Sequence, residues 1–233
     1  MTEDPQFESA VVAARRGLHA VAEHLLAGPQ WRTSGTIRLT VSDNGFATVR
    51  PPAPGISRLA VSGGTVIREP EGTAHVLTGR FDDLAVALGV EPGPPTGVYP
   101  DSGIEAPTVL DLPVIGVGVV LQALSLGDQA LRAFIEQAQN EPGEQSEPAP
   151  EPVLWPEHFD LGLSLAEVNY GISPGDAGHP LPYAYVGPWT ARRGSFWNAS
   201  FGAARSLAEL GDATAVTDFL LEGQTRAAAD PPT

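Results

Sequence analysis

The residues best suited to chemistry lie in one stretch of the chain. His158 and Asp160 are separated by one residue, Asp176 and His179 by two, and Tyr183 and Tyr185 follow on an alternating segment. Imidazole and carboxylate ligate divalent cations, so His158, Asp160 and His179 form a candidate metal set. Asp176 would add an oxygen ligand or act as a general base. Such a set would suit a metal-dependent hydrolase or isomerase, although its spacing matches no named metal motif. Without a metal, His158, Asp160, Asn169, Tyr183 and Tyr185 read as ligand-binding residues, two phenols walling a pocket and a few polar groups orienting what enters it. A structural reading stands beside both: the polar groups satisfy turn backbone and one another, and the tyrosines cover a sheet.

The strands around these residues must hold them. Taken as one strand, Phe159 to Val168 puts Phe159, Leu161, Leu163 and Leu165 on one face and His158, Asp160, Gly162, Ser164 and Ala166 on the other. The second face is small and polar, shaped for close approach. Tyr183 to Trp189 reads as a returning strand. If the two are neighbours, both tyrosines stand beside His158 and Asp160. Ser173-Pro174-Gly175-Asp176 between them is a turn sequence.

The rest of the chain supplies a frame. Phe7, Val11, Ala14, Leu18, Val21 and Leu25 recur at helical spacing, and Gly28-Pro29 is read as the stop. Alternation over residues 37–41 and Asp43-Asn44-Gly45 predict a hairpin with a three-residue loop, pairing Leu39 with Val49 and Val41 with Ala47. A second hairpin, Ile56 to Val61 with Thr65 to Arg68, turns at Gly63-Gly64. A short strand over Thr73 to Thr78 leads into a helix from Phe81 to Leu88 that ends at Gly89, with Asp82 and Asp83 in its first turn. Residues 91–108 form a Pro- and Gly-rich loop, and a helix covers Leu121 to Ala138. Residues 140–152 read as an acidic, Pro-rich linker. Beyond Tyr183 to Trp189, a strand or loop over Phe196 to Leu210 enters a helix, and Ala215 to Ala228 forms the last one. The expected domains are 1–139, the linker 140–152, and 153–233, with the two halves able to pack as one. The fold class is α+β, antiparallel sheet with helices at its ends and on one face.

Composition narrows the function classes. Cysteine is absent from the 233 residues, which excludes disulfides, thiolate metal sites and cysteine nucleophiles. Lysine is absent too, so Schiff-base chemistry and a Walker-type phosphate loop are excluded. A net charge of −15 repels nucleic acid and anionic membrane. Leu112 to Leu126 is apolar over about 15 residues, shorter than the roughly 20 a spanning helix needs. No basic-then-apolar leader precedes it. The chain reads as soluble and cytoplasmic, without membrane insertion and without an implied cofactor. His19, Glu23 and His24 on the first helix match neither zincin pattern and read as core or rim residues. Trp155, Trp189 and Trp197 read as core anchors with their indole N–H groups bonded.

The strand meander from Thr36 to Thr78, followed by Thr78-Gly79-Arg80-Phe81-Asp82-Asp83-Leu84, resembles the sterol-carrier-protein type of domain. That domain also forms the carboxy-terminal part of mycothiol-dependent maleylpyruvate isomerases. The resemblance covers roughly residues 30–90 and implies an apolar tunnel for acyl or sterol ligands. The whole chain resembles a family of uncharacterised actinobacterial proteins through Leu154-Trp155-Pro156-Glu157-His158-Phe159-Asp160, Val168-Asn169-Tyr170-Gly171, Ser173-Pro174-Gly175-Asp176 and Pro182 to Trp189. That resemblance implies a fold grouping with no established activity. The expected function is binding of a small, partly apolar or acyl molecule without turnover. The metal-dependent enzyme and a structural or interaction protein are the alternatives.

Overall fold

A computed structural model describes residues 4–42, 44–49, 57–100, 102–138 and 149–232. The chain is α+β, as expected, with helices and antiparallel strands. Its contacts divide it into two units. The first holds residues up to Ser125 and Leu154–Phe159; the second holds Leu126–Val153 and the residues from Asp160 onward. The chain therefore passes between the units after Ser125, after Val153 and after Phe159. Linker residues 140–148 lie outside the described residues, as do Asp43 and Ile56 of the two hairpins.

In the first unit, Pro5 starts α1 (Pro5–Ala20), and the Asp4 carboxylate before it accepts a bond from the Gln6 N–H. Val11, Ala14 and Leu18 of the predicted stripe are buried. The expected stop at Gly28-Pro29 is not one. The helix widens into a π-helical turn, Val21–Ala27, and continues as α2 (Gly28–Ser34), ending at left-handed Gly35. In a regular helix Pro29 would forfeit a bond and press on the carbonyl four residues back. Here the Gly28 N–H reaches back five residues to the Glu23 carbonyl, and Pro29 falls in the first turn of α2, where a missing N–H costs little.

Strands β1 (Leu39–Ser42), β2 (Gly45–Thr48), β3 (Arg58–Ser62), β4 (Thr65–Glu69) and β5 (Thr73–Val76) form an antiparallel meander. The first hairpin differs from the expected register. Leu39 faces Thr48 and Ser42 faces Gly45, so the connection has two residues, and Asn44 is left-handed. Gly45 serves another need: a Cβ there would sit 2.7 Å from the Val61 carbonyl carbon of β3. All four β2 residues are buried, so alternation could not select the register. The Gly63-Gly64 turn holds as read, with Ser62 opposite Thr65. Strand β6 (Gly79–Arg80) leads directly into α3 (Phe81–Leu88), capped by left-handed Gly89 on the predicted boundary. Strand β7 (Val109–Leu110) pairs with β6.

Helix α4 (Val114–Ala138) is longer than the predicted span from Leu121 to Ala138. Its 25 residues are long and apolar enough to cross a membrane by length and composition, and half of its most apolar window is buried. In the first unit it packs on α1 at Gly116, where a Cβ would approach the Ala14 side chain to 2.8 Å. Strand β8 (Val153–Trp155) returns to the first unit, with Leu154 opposite Leu39 of β1.

The second unit contains β9 (Asp160–Leu165), β10 (Val168–Ser173), β11 (Tyr183–Pro188) and β12 (Ala203–Ser206), paired antiparallel in that order. Here the predicted Phe159–Val168 strand is corrected at both ends. Phe159 is left-handed at φ 52°, so extended chain begins at Asp160. Ala166 and Glu167, both at positive φ, then turn the chain into β10. Neither is the Gly or Asn that usually announces such a turn, so the hairpin left no sequence signal. Leu161, Leu163, Tyr170, Ile172, Ala184 and Val186 are buried. The Leu126–Ala138 part of α4 and the last helix pack on this side: Gly127 lies against Ile172, the Phe134 ring is 4.5 Å from Tyr170, and Gly223 lies against Val186. After β12 come α5 (Leu207–Leu210) and α6 (Ala213–Ala229), close to the predicted segments.

Candidate functional site

The predicted segment is brought together only in part. His158 is exposed, in the turn before Phe159, and belongs to the first unit. The alternation expected to set it beside Asp160 requires an extended Phe159, and the left-handed backbone there removes it. Asp160, Asn169, Asp176, His179, Tyr183 and Tyr185 all belong to the second unit. The expected strand neighbours are not adjacent, because β10 lies between β9 and β11.

Across β10 the small residues have a definite occupant. Gly171 of β10 faces both Gly162 of β9 and Tyr185 of β11. A Cβ on Gly171 would meet the Tyr185 ring at 2.5 Å, and one on Gly162 would meet its hydroxyl at 2.9 Å. The phenol lies across both glycines and donates a hydrogen bond to Asp160 Oδ2. The small-residue face is therefore shaped for close approach, as read, but the approaching group is the protein's own tyrosine. Burial first, then the Asp160 charge and the bond to it, raise the Tyr185 pKa well above the ordinary phenol value.

A second phenol repeats the arrangement. Tyr183 donates to Asp176 Oδ2 at 2.5 Å, while Asp176 Oδ1 accepts from the Gly178 and His179 N–H groups. Burial pushes the Asp176 carboxyl up, but the bonds from Tyr183, His179 and Gly178 bring it net below its usual value. The His179 ring lies 4.8 Å from Tyr183, and its Nδ1 is 3.8 Å from Asp176 Oδ1. Asn169 Oδ1 accepts from Ser164 Oγ at 2.7 Å and from Trp189 Nε1 at 3.1 Å. Trp189 is 65% exposed, so this expected core anchor is a surface residue with a bonded indole. Among the described residues, no three His, Asp or Glu side chains gather as a metal site requires.

The first unit carries two features outside the predicted segment. One is a buried polar knot on the π-helical turn. Glu23, 1% exposed, accepts from the Tyr99 hydroxyl at 2.9 Å and the Ser102 hydroxyl at 2.6 Å. His24 Nε2 lies 2.8 Å from the Ile104 carbonyl, and Gly93 N–H donates to the His24 carbonyl. These bonds hold the loop after α3 against the helix. His19 bonds the Pro156 carbonyl at 2.6 Å and stacks on Phe159, and desolvation lowers its pKa to about 4. The expectation that His19, Glu23 and His24 are core or rim residues holds, and all three are core.

The other feature is a cavity of about 270 Å³ between α2, the meander and the end of α3. Leu26, Pro29, Val49, Leu59, Leu88 and Val90 supply apolar walls; Gln30, Thr33, Ser34, Thr48, Ser57 and Arg68 supply polar groups. Gln30 fixes its base. Its amide donates to the Thr36 and Arg38 carbonyls and accepts from Val49 N–H, tying α2 to the outer ends of β1 and β2. The cavity escapes sequence reading because its walls come from five separated segments, and Arg68 on β4 looks like any exposed strand residue. Searches of protein-family models, of curated proteins and of solved structures yield no match to this chain.

Proposed function

We propose that the protein binds a small, partly apolar molecule in the cavity of the first unit, without turning it over. The observation that carries this reading is the lining: apolar on several sides, with polar groups at a few points, the usual anatomy of a ligand site. Among the described lining residues there is no His, Asp, Glu or Tyr, so no group there is suited to general acid–base work at neutral pH. The Tyr183 and Tyr185 phenols donate to Asp176 and Asp160.

The volume, roughly nine water-sized units, suits a molecule of about that many heavy atoms. The likeness of this half to sterol-carrier-type domains points the same way in kind, toward an apolar ligand, but this space is too small for a sterol. The test is a thermal-shift screen of small amphipathic molecules against the full chain and against Thr33→Trp, which fills the cavity from the exposed side of α2. Ligands that stabilise the parent protein and not the variant support the reading. A screen with no hits, or hits that Thr33→Trp leaves unchanged, refutes it.

A further inference from the structure

The hydrogen-bond inventory of the cavity specifies the chemistry of what it takes. Among the described lining side chains, the Gln30 amide protons go to the Thr36 and Arg38 carbonyls. The Thr33 and Ser34 hydroxyls return to carbonyls of their own helix, Thr48 Oγ1 bonds at Leu59, and the Ser57 hydroxyl donates to Glu71 Oε1. Each of these donors already has an acceptor.

Arg68 differs. A guanidinium carries five N–H donors in a planar fork. Arg68 uses Nη1 on the Leu88 carbonyl, where it caps the end of α3, and Nη2 on Ser57 Oγ. Its Nε is 4.0 Å from Glu71 Oε2, beyond hydrogen-bond reach. Three N–H donors of this permanent cation make no hydrogen bond to a described residue, and Glu71 pairs with it only at that longer, ion-pair distance. Gly89 makes this position accessible to the guanidinium, since a Cβ there would sit 2.8 Å from Nη1.

We infer that the ligand is a small monocarboxylate, its acid group on the Arg68 guanidinium and its apolar body against Leu26, Leu59 and Leu88. This rests on the cavity reading above and adds the charge of the ligand to it. A neutral amide or alcohol leaves the remaining Arg68 donors with no charge-assisted bond beyond the long Glu71 ion pair. A phosphate dianion calls for more positive charge than Arg68, the one arginine among the described lining residues, supplies. Charge-assisted bonds from arginine to carboxylate are about twice as strong as neutral ones. They also give a net-acidic protein a local means of selecting an anion.

The experiment is calorimetric titration of the full chain with heptanoate and with heptanamide, which match in size and differ in charge. Heptanoate binding tighter by about tenfold or more, with the preference lost in Arg68→Gln and binding lost in Thr33→Trp, is the expected result. Equal affinities, or a preference for the amide, overturn the carboxylate inference and leave the cavity reading standing. Failure of both probes to bind overturns both. A heptanoate preference that survives Thr33→Trp puts the acid elsewhere and also overturns it. The comparison on the parent protein decides the matter even if Arg68→Gln does not fold.

Discussion

His19 offers the sharpest quantitative test. Its ring is buried, stacked on Phe159 at 5.3 Å and bonded to the Pro156 carbonyl, and desolvation is the main reason its pKa falls to about 4. The nearby charges act in the same direction: His158, Arg15 and His24 all disfavour a second cation. In the unfolded chain the imidazole titrates near its ordinary 6.5. Between the two values the unfolded state binds the proton and the folded state does not, so stability falls as pH drops from about 6.5 to about 4 and levels off below. A gap of that size corresponds to about 3 kcal/mol. Acidification also relieves the self-repulsion of a −15 chain, so the raw curve mixes opposing effects. The difference between the parent and His19→Gln isolates the imidazole, because Gln keeps a donor for Pro156 and does not titrate. Urea unfolding from pH 7 to pH 4 should show the parent losing about 3 kcal/mol more than the variant. NMR titration of the five imidazoles should find one with a midpoint near 4. Parallel stability curves, or a His19 midpoint near 6.5, refute the reasoning.

Three further substitutions test the packing. Gly171→Ala places a methyl group 2.5 Å from the Tyr185 ring and 2.6 Å from the Leu161 carbonyl oxygen, and should destabilise the protein by about 2 kcal/mol or more in urea melts. Tyr185→Phe removes the hydroxyl that donates to Asp160 and should cost about 1.5–3 kcal/mol in the same melts. Glu23→Ala leaves the half-buried Tyr99 and Ser102 hydroxyls without their acceptor; it should cost about 2 kcal/mol and speed amide exchange in the loop after α3. A change under about 0.5 kcal/mol in any of the three would contradict the geometry behind it.

Local signals in the chain suffice where one residue decides the backbone. The boundary of α3 lies at Gly89, the β3–β4 turn at Gly63-Gly64, and α6 within two residues of its predicted start. Sequence reading failed where the deciding partner is distant. Gly28 and Pro29 look like a stop, but a Cβ on Gly28 would collide with the Gly93 backbone, and the π-helical turn before it lets the helix run on. Gly45 looks like a turn glycine and is a packing glycine under β3.

Composition and periodicity set the class of molecule: an acidic α+β chain without cysteine or lysine, its helices and strands bounded by glycines with local jobs. Tertiary structure decided which side chains meet. It laid Tyr185 over Gly171 and Gly162, separated His158 from the strand of Asp160 by one left-handed residue, and assembled a cavity from α2, the meander and the end of α3. Periodicity records which way a side chain points along its own element. It carries no record of which element lies opposite, and both the filling of one hollow and the opening of another depend on that.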